Sequence, residues 1–446
     1  LDLFAGAGGM ALGFKAAGAQ CIGGVEWDKA ASETFRRNFL DEKPTVFGGP
    51  TEGDVNNLPV EALLGALPSA PDIITGGPPC QGFSRIGRAK QASLLGENER
   101  ILQGGVRNPG RNLLYQYMLS VVRKGRPKAF VMENVPGMRN LMGNDFAKRI
   151  AREGNYCGYN VRYMMLNAAA YGVPQHRWRL FFIGIRSDLG HDAIPSPPPR
   201  THNVSGQLEG TAIPDDKWFV PGWKVPLAEG YDEPVTVGMA IGDLPRLKGH
   251  LNGEIPQEQR LPLRKAPSKY VQQLRSWPDM LAKETVSGNW YRNTPRDFET
   301  FKRMAQGDKY PQAIEIANLR FSEHVKAMSN PPKPDSADWV ELRKKFVPPY
   351  RNDAFDDKWH KLHMDRPSWT VTAHLEKDTY SHIHFDSRQA RTVTIREAAR
   401  LQSFPDAIDF CGNFGEQYRQ IGNAVPPMLS RAIALNLIEQ LDGLHQ

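Results

Sequence analysis

Apolar and polar positions change rhythm along this chain, and the change divides it. Over residues 1–186, short apolar runs alternate with stretches of helical period. Leu1–Phe4, Cys21–Val25, Asp72–Thr75, Lys128–Met132, Asn160–Leu166 and Leu180–Ile185 read as strands. Met10–Ala17, Asp28–Phe39, Asn112–Lys124 and Asn144–Glu153 read as helices, with Asp28 and Asn112 placed as N-caps. Strand–helix alternation predicts an α/β fold, a doubly wound and mostly parallel sheet covered on both faces.

The rhythm breaks after Ile185. Pro195-Ser-Pro-Pro-Pro199 punctuates the chain, and 20 of its 35 prolines fall between 191 and 350. Proline removes a backbone donor and kinks helices, so this stretch predicts a loop-rich second domain without long helices. Periodicity returns at Trp369-Thr-Val-Thr-Ala373 and in the helical segment Ile395–Gln402. A last helix, Pro427–Leu441, is apolar on one face and suits packing back onto the first domain. The predicted divisions are a first domain over 1–188, a second over 189–414, and a returning segment over 415–446.

Charge and cysteine usage narrow the class. Lys and Arg number 56 against 49 Asp and Glu, a net +7, which suits a polyanionic partner without requiring one. No apolar run approaches the roughly 18–20 residues of a membrane span, so a soluble, intracellular protein is expected. The chain opens at Leu1, inside a predicted strand, so its true start is expected upstream. Its four cysteines, at 21, 80, 157 and 411, form no Cys-x-x-Cys pair, against a disulfide framework or a Cys-based zinc site. His360-x-x-His363 and His382-x-His384 lack companions at ligand spacing and read as surface or loop histidines. No metal is expected.

The first turn reads Asp2-Leu-Phe-Ala-Gly6-Ala-Gly8-Gly9-Met-Ala11, a strand followed by Gly-x-Gly-x-x-Ala opening a helix. Such glycines permit a tight turn and close approach of backbone to a ligand at the helix N-terminus. Glu26, 18 residues past Gly8 at the end of the second strand, is placed to accept hydrogen bonds from a ribose diol. Trp27 would lie flat on an adenine, and Asp54 in Gly53-Asp54-Val55 would take its exocyclic amine. The structural alternatives are a helix-entry acid, a packing aromatic and a turn residue. Together these residues point to a ribose-bearing cofactor and leave NAD, FAD and S-adenosylmethionine (SAM) open.

A second cluster falls at neighbouring strand ends. Asp72-Ile-Ile-Thr75 runs into Gly76-Gly77-Pro78-Pro79-Cys80-Gln81-Gly82-Phe83-Ser84, beyond the carboxyl end of a strand where open sheets bind ligands. Two prolines stiffen the approach to Cys80, which reads as a reactive thiol rather than a buried small hydrophobe. A thiolate needs positive surroundings. Arg85, Arg88, Lys90, Arg100, Arg107 and Arg111, against Glu97 and Glu99, would supply them, either as a flap closing over a phosphate backbone or as a solvated loop. The strand Ala129-Phe-Val-Met132 ends in Glu133-Asn134-Val135-Pro136-Gly137, putting Glu133 at the same edge, where a raised pKa would suit a general acid. In Gln175-His-Arg177-Trp-Arg179, an extended backbone puts Gln175, Arg177 and Arg179 on one face. They would grip an oxygen-rich ligand or serve as structural partners.

Taken in order, these motifs, closed by Gly422-Asn-Ala-Val425, resemble the DNA (cytosine-5) methyltransferases. Arg396-Glu-Ala-Ala-Arg400-Leu-Gln-Ser-Phe404-Pro405 is similar to the family's late block, and the resemblance covers roughly 1–186 and 365–440. It implies SAM as methyl donor, no metal, and double-stranded DNA as partner. Cys80 would add to carbon 6 of cytosine, Glu133 would serve the ring nitrogen and amino group, and Arg179, supported by Arg177, would bind the carbonyl oxygen. Phe4, Gly6, Gly8, Gly9, Glu26, Trp27, Asp54 and Asn423 would hold SAM. The 1–188 domain becomes the catalytic SAM-binding domain with a Rossmann-like methyltransferase fold, and 189–414 the target-recognition domain. There Arg260, Arg264, Lys265, Lys269 and Arg275 form a candidate phosphate track or a solvated face. The target base would be swung out of the helix. A monomer in the bacterial cytoplasm, associated with the nucleoid, is expected, serving restriction-modification or acting as a solitary regulatory methylase. The rivals are a tRNA cytosine-5 methyltransferase, a dinucleotide oxidoreductase with Cys80 as redox thiol, and a catalytically silent DNA-binding module. The oxidoreductase reading leaves Glu133 and the paired arginines without a task.

Overall fold

Six strands of alternating or continuous apolar character occur where the sequence puts them, in a computed structural model describing residues 1–79, 114–139, 146–190, 193–204, 218–265, 267–349 and 358–444. They are β1 (Asp2–Leu3), β2 (Gly23–Glu26), β4 (Ile73–Gly76), β5 (Ala129–Asn134), β6 (Tyr159–Asn167) and β7 (Trp178–Arg186), with β3 (Thr45–Gly48) added on one side. The sheet runs β3-β2-β1-β4-β5-β7-β6, and a short strand, Phe219–Pro221, extends it at the far edge. All neighbours pair in parallel except β7, which is antiparallel to both β5 and β6. Neither edge strand was anticipated. Thr45–Gly48 is half-buried throughout and shows no period, while Phe219–Pro221 tolerates its proline because it lies on an edge.

Helices cover the sheet. Asp28 caps α2 (Lys29–Asn38) as expected, its Oδ1 accepting the Ala31 N–H at 2.9 Å. Asn112 and Asn144 lie outside the described residues; the helices they precede are seen over Leu114–Gly125 and Phe146–Tyr156. The C-terminal helix Pro427–Gly443 buries Leu429, Ile433, Leu437 and Leu441 beside α1 (Gly9–Lys15). Contact is close enough that a Cβ on Gly13 would stand 2.4 Å from Cβ of Ser430, so only glycine fits there.

Beyond the sheet the proline-rich stretch corrects one expectation. Tyr310–Ala327 is an 18-residue helix, the longest described. Proline position, not proline density, decides: Pro311 sits in the first turn, where no donor is lost, and the next proline is Pro331. This helix shares a small core with Phe301, Trp359 and Ile383. Residues 235–286 and 362–424 instead share one apolar core with Phe35 and Phe39 of α2. Trp369–Ala373 pairs in no strand; the chain before it meets Gln175 through an isolated bridge at Ser368.

Buried charge organises that shared core. Arg400 is fully buried and bonds Asp243 at 2.5 Å and Asp406 at 2.7 and 2.8 Å. Arg275 joins the same carboxylates at 2.6 and 3.4 Å, so it belongs to the interior rather than to a phosphate track. Arg260 and Lys269 meet Asp409 and Asp232 at 3.2 and 3.6 Å and, like Arg264 and Lys265, stay exposed. His384 lies 3.4 Å from Glu397, whose carboxylate Arg391 grips through two 2.7 Å bonds; burial alone would raise that carboxyl, but Arg391 and His384 drive it far below its ordinary value. Removing one partner from a buried ion network strands the others. Arg400→Leu is therefore expected to lower unfolding stability by about 3 kcal/mol, moderated by Arg275, as a fall in the urea midpoint at constant slope.

Candidate active site

At the switch point of the sheet, β1 and β4 lie side by side and their carboxyl ends open a cleft of about 420 Å³. Phe4 leaves β1 with φ +56°, a left-handed conformation rare for an aromatic residue, and Gly6 and Gly8 follow at +56° and +86°. The resulting turn aims the start of α1 at the cleft. Gly6 faces open space, whereas a Cβ on Gly9 would lie 2.3 Å from the Val425 carbonyl, so Gly9 lets the C-terminal segment close against the turn. Gly8 stands behind the turn, packed on Phe35 and Phe39.

Glu26 is the best-fixed group at this end. Its Oε2 accepts the Gly6 N–H at 2.7 Å and its Oε1 the Asp28 N–H at 2.7 Å. Burial pushes its carboxyl above the ordinary carboxylate range while these two bonds oppose the rise. Each oxygen retains a lone pair for a further donor. Trp27 lines the cleft with 56% of its surface exposed, and Asn423 lines it too. Asp54 is not among the lining residues: its carboxylate takes the amides of Asn56 and Asn57 at 2.8 and 3.1 Å, which is turn chemistry.

The other end is built by β5 and β7. Glu133 pairs in register with Phe181, so alternation puts Arg179 on its face, and Arg179 Nε meets Glu133 Oε1 at 2.9 Å. Burial raises the Glu133 carboxyl above its usual value, and Arg179 and then Arg177 reverse this only in part. The same burial lowers Arg179. Gln175 and Arg177 do different work. Arg177 is wholly buried and donates to the carbonyls of Val371, Gly422 and Ala424 at 2.7, 3.0 and 3.0 Å. Gln175 accepts the Val371 N–H at 2.9 Å and donates to the Leu401 carbonyl at 2.8 Å. Both tie the sheet to later segments; Arg177 also reaches the cleft wall.

Cys80 and the segment from Arg85 to Arg111 lie outside the described residues. The chain leading to Cys80 is held. Asn134 Nδ2 donates to the Pro78 carbonyl at 3.1 Å, Pro79 lines the cleft, and a Cβ on Gly77 would stand 3.4 Å from Glu133 Oε2. Sequence reasoning passed over three residues here. Asn134 was readable only as the neighbour of Glu133. Asp2, on the cleft wall, accepts Thr75 Oγ1 at 2.8 Å, and burial pushes its carboxyl up to about 6. Arg419, on the helix Phe414–Asn423, also lines the cleft. Among the described residues, no three His, Cys, Asp or Glu side chains gather as metal ligands, and no helix is long and apolar enough to cross a membrane.

The fold is a doubly wound α/β sheet with a paired acid and guanidinium at one end of a cleft and an acid-anchored glycine turn at the other. The chain belongs to the C-5 cytosine-specific DNA methylase family, whose model matches residues 1–439. It is a DNA (cytosine-5-)-methyltransferase. It is 37% identical to M.OihORF3336P of Oceanobacillus iheyensis, which carries a provisional type II methyltransferase name, over 99% of this chain and 96% of that protein. It is also 30% identical to the type II methyltransferase M.AgeI of Thalassovita gelatinovora, over 97% of each chain. Among solved structures, a prophage-encoded protein of E. coli, named as a DNA modification methyltransferase, shares the fold. Its TM-score is 0.63 at 21% identity, covering 99% of this chain and 98% of that one.

Proposed function

We propose that this enzyme transfers the methyl group of SAM to carbon 5 of a cytosine swung out of a specific double-stranded DNA sequence, through a transient Cys80 adduct. The observation that carries the reading is the placing of Glu26 and the Glu133–Arg179 pair at opposite ends of one cleft. The residues present fit SAM. Glu26 keeps acceptor capacity for the ribose diol, Trp27 offers an exposed ring for the adenine, and Gly6 leaves open space at the turn. Phe4, Gly9 and Asn423 complete the wall, with Gly8 shaping the turn from behind. Asp54, which its own turn holds outside the cleft lining, would reach the adenine through the remaining lone pair of Oδ2.

When bound, SAM supplies an electrophilic methyl group on a sulfonium. Everything else falls to this chain. Cytosine carbon 5 is a poor nucleophile, so the Cys80 thiolate adds to carbon 6 and sends an electron pair into the ring. Glu133, whose carboxyl burial raises above its usual value, gives a proton to the ring nitrogen, and Arg179 holds the carbonyl oxygen where negative charge develops. Carbon 5 then forms its new bond to the methyl group as the methyl–sulfonium bond breaks and leaves its electron pair on a neutral thioether. A base or water removes the carbon-5 proton, the electron pair re-forms the ring double bond, the thiolate departs, and the ring nitrogen returns its proton to Glu133. Arg177 supports Arg179 indirectly, by fixing the strand that carries it against Val371 and Gly422.

The type II names of its relatives favour one half of a restriction-modification system; the reading adds a cytoplasmic monomer beside the nucleoid. Radiolabelled SAM offered with duplex DNA and with tRNA tests the substrate class. Label is expected in duplex DNA alone, and bisulfite sequencing of host DNA would then report the target. Label in tRNA alone would overturn the reading, as would calorimetric affinity for NAD with none for SAM.

A further inference from the structure

One guanidinium, on the helix Phe414–Asn423, stands where the cofactor wall and the second domain meet. Arg419 bonds Asp28 Oδ2 at 2.7 Å and Glu376 Oε1 at 2.7 Å, with Glu416 Oε1 3.9 Å away. Asp28 follows Glu26 and Trp27 directly, and its N–H is one of the two donors that fix the Glu26 carboxylate. Glu376 closes the short turn Ala373–Glu376, whose carbonyl Arg292 holds at 2.7 Å, and Val371 just before that turn is held by Arg177. Three carboxylates surround one half-buried cation. An Asp28 bond is not needed for capping α2, because Asp28 Oδ1 already serves the Ala31 N–H. The second oxygen is committed to Arg419 alone.

We propose that Arg419 is a positioning residue through which seating of the second domain on DNA tightens the grip on the cofactor. The inference rests on the cofactor and DNA reading above and adds a route between the two ligands. Glu376 draws the guanidinium from the second domain, the guanidinium draws Asp28, and Asp28 sets Glu26 and Trp27 for the ribose and adenine. Binding free energies are linked reciprocally, so whatever DNA does to cofactor affinity the cofactor must do to DNA affinity.

The test measures S-adenosylhomocysteine affinity, by calorimetry or Trp27 quenching, with and without duplex DNA carrying the target. DNA is expected to tighten binding to the unmodified enzyme by about fivefold or more. Glu376→Gln, which leaves the Asp28–Arg419 bond intact, should bind S-adenosylhomocysteine alone as the unmodified enzyme does and lose most of the tightening. Arg419→Gln should lose it and also bind more weakly without DNA; Arg419→Lys, retaining the charge, should recover part of both. Reciprocal DNA titrations must return the same factors. Equal tightening in Glu376→Gln and the unmodified enzyme would overturn the inference, as would no tightening in the unmodified enzyme. If the unmodified enzyme binds neither ligand, the underlying reading fails instead.

Discussion

Cys80→Ala is expected to abolish methyl transfer to DNA, a loss of at least about 10⁴-fold, because removing a covalent nucleophile leaves only binding and electrostatic stabilisation. Cys80→Ser should be almost as inactive, since a hydroxyl is scarcely ionised at neutral pH. The sharper readout uses duplex DNA carrying 5-fluorocytosine at the target. Fluorine cannot leave carbon 5 as a cation, so the final elimination stalls and the enzyme remains bonded to the base through sulfur. A denaturation-resistant complex, one protein to one duplex, should form with the unmodified enzyme and SAM and be absent from both variants. Asn134 bears on the same step from the neighbouring strand, since its bond to the Pro78 carbonyl fixes the backbone two residues before Cys80. SAM-dependent methylation by Cys80→Ala would remove the adduct from the mechanism.

What was legible in the sequence, and what was not, follows the range of the forces involved. Local periodicity placed the six sheet strands, the Asp28 cap and the final helix, because neighbours a few residues apart decide those features. It missed Thr45–Gly48 and Phe219–Pro221, which are held by the edge they join rather than by their own pattern. Counting prolines over the second domain hid the helix Tyr310–Ala327, whose single proline sits where a helix tolerates it. Alternation through Gln175, Arg177 and Arg179 gives a direction and no partner, and the strand itself begins only at Trp178. Arg177 is tied to carbonyls 194 and 245 residues along the chain, and Gln175 to one 226 residues along, so only Arg179 remains with Glu133. Arg275 is likewise claimed by Asp243, a carboxylate that nothing in its own neighbourhood announces.

Glu133→Gln isolates the acid. Burial raises the Glu133 carboxyl and Arg179 fails to bring it fully back, so the folded site favours the protonated form more than water does. Activity that requires that proton is present below the raised pKa and lost as pH rises through it. Glutamine can donate a hydrogen bond from its amide but cannot give up a proton to the ring nitrogen. The substitution should therefore lower kcat by about 10²–10³-fold, the usual worth of a positioned acid, with little change in SAM affinity because Glu26 lies at the far end of the cleft. The pH profile separates this from misfolding. The unmodified enzyme should show the declining alkaline limb in kcat, and Glu133→Gln should be flat over the same range. A variant that keeps the limb, at whatever rate, would assign that proton to another group and leave Glu133 as a hydrogen-bonding contact for the base.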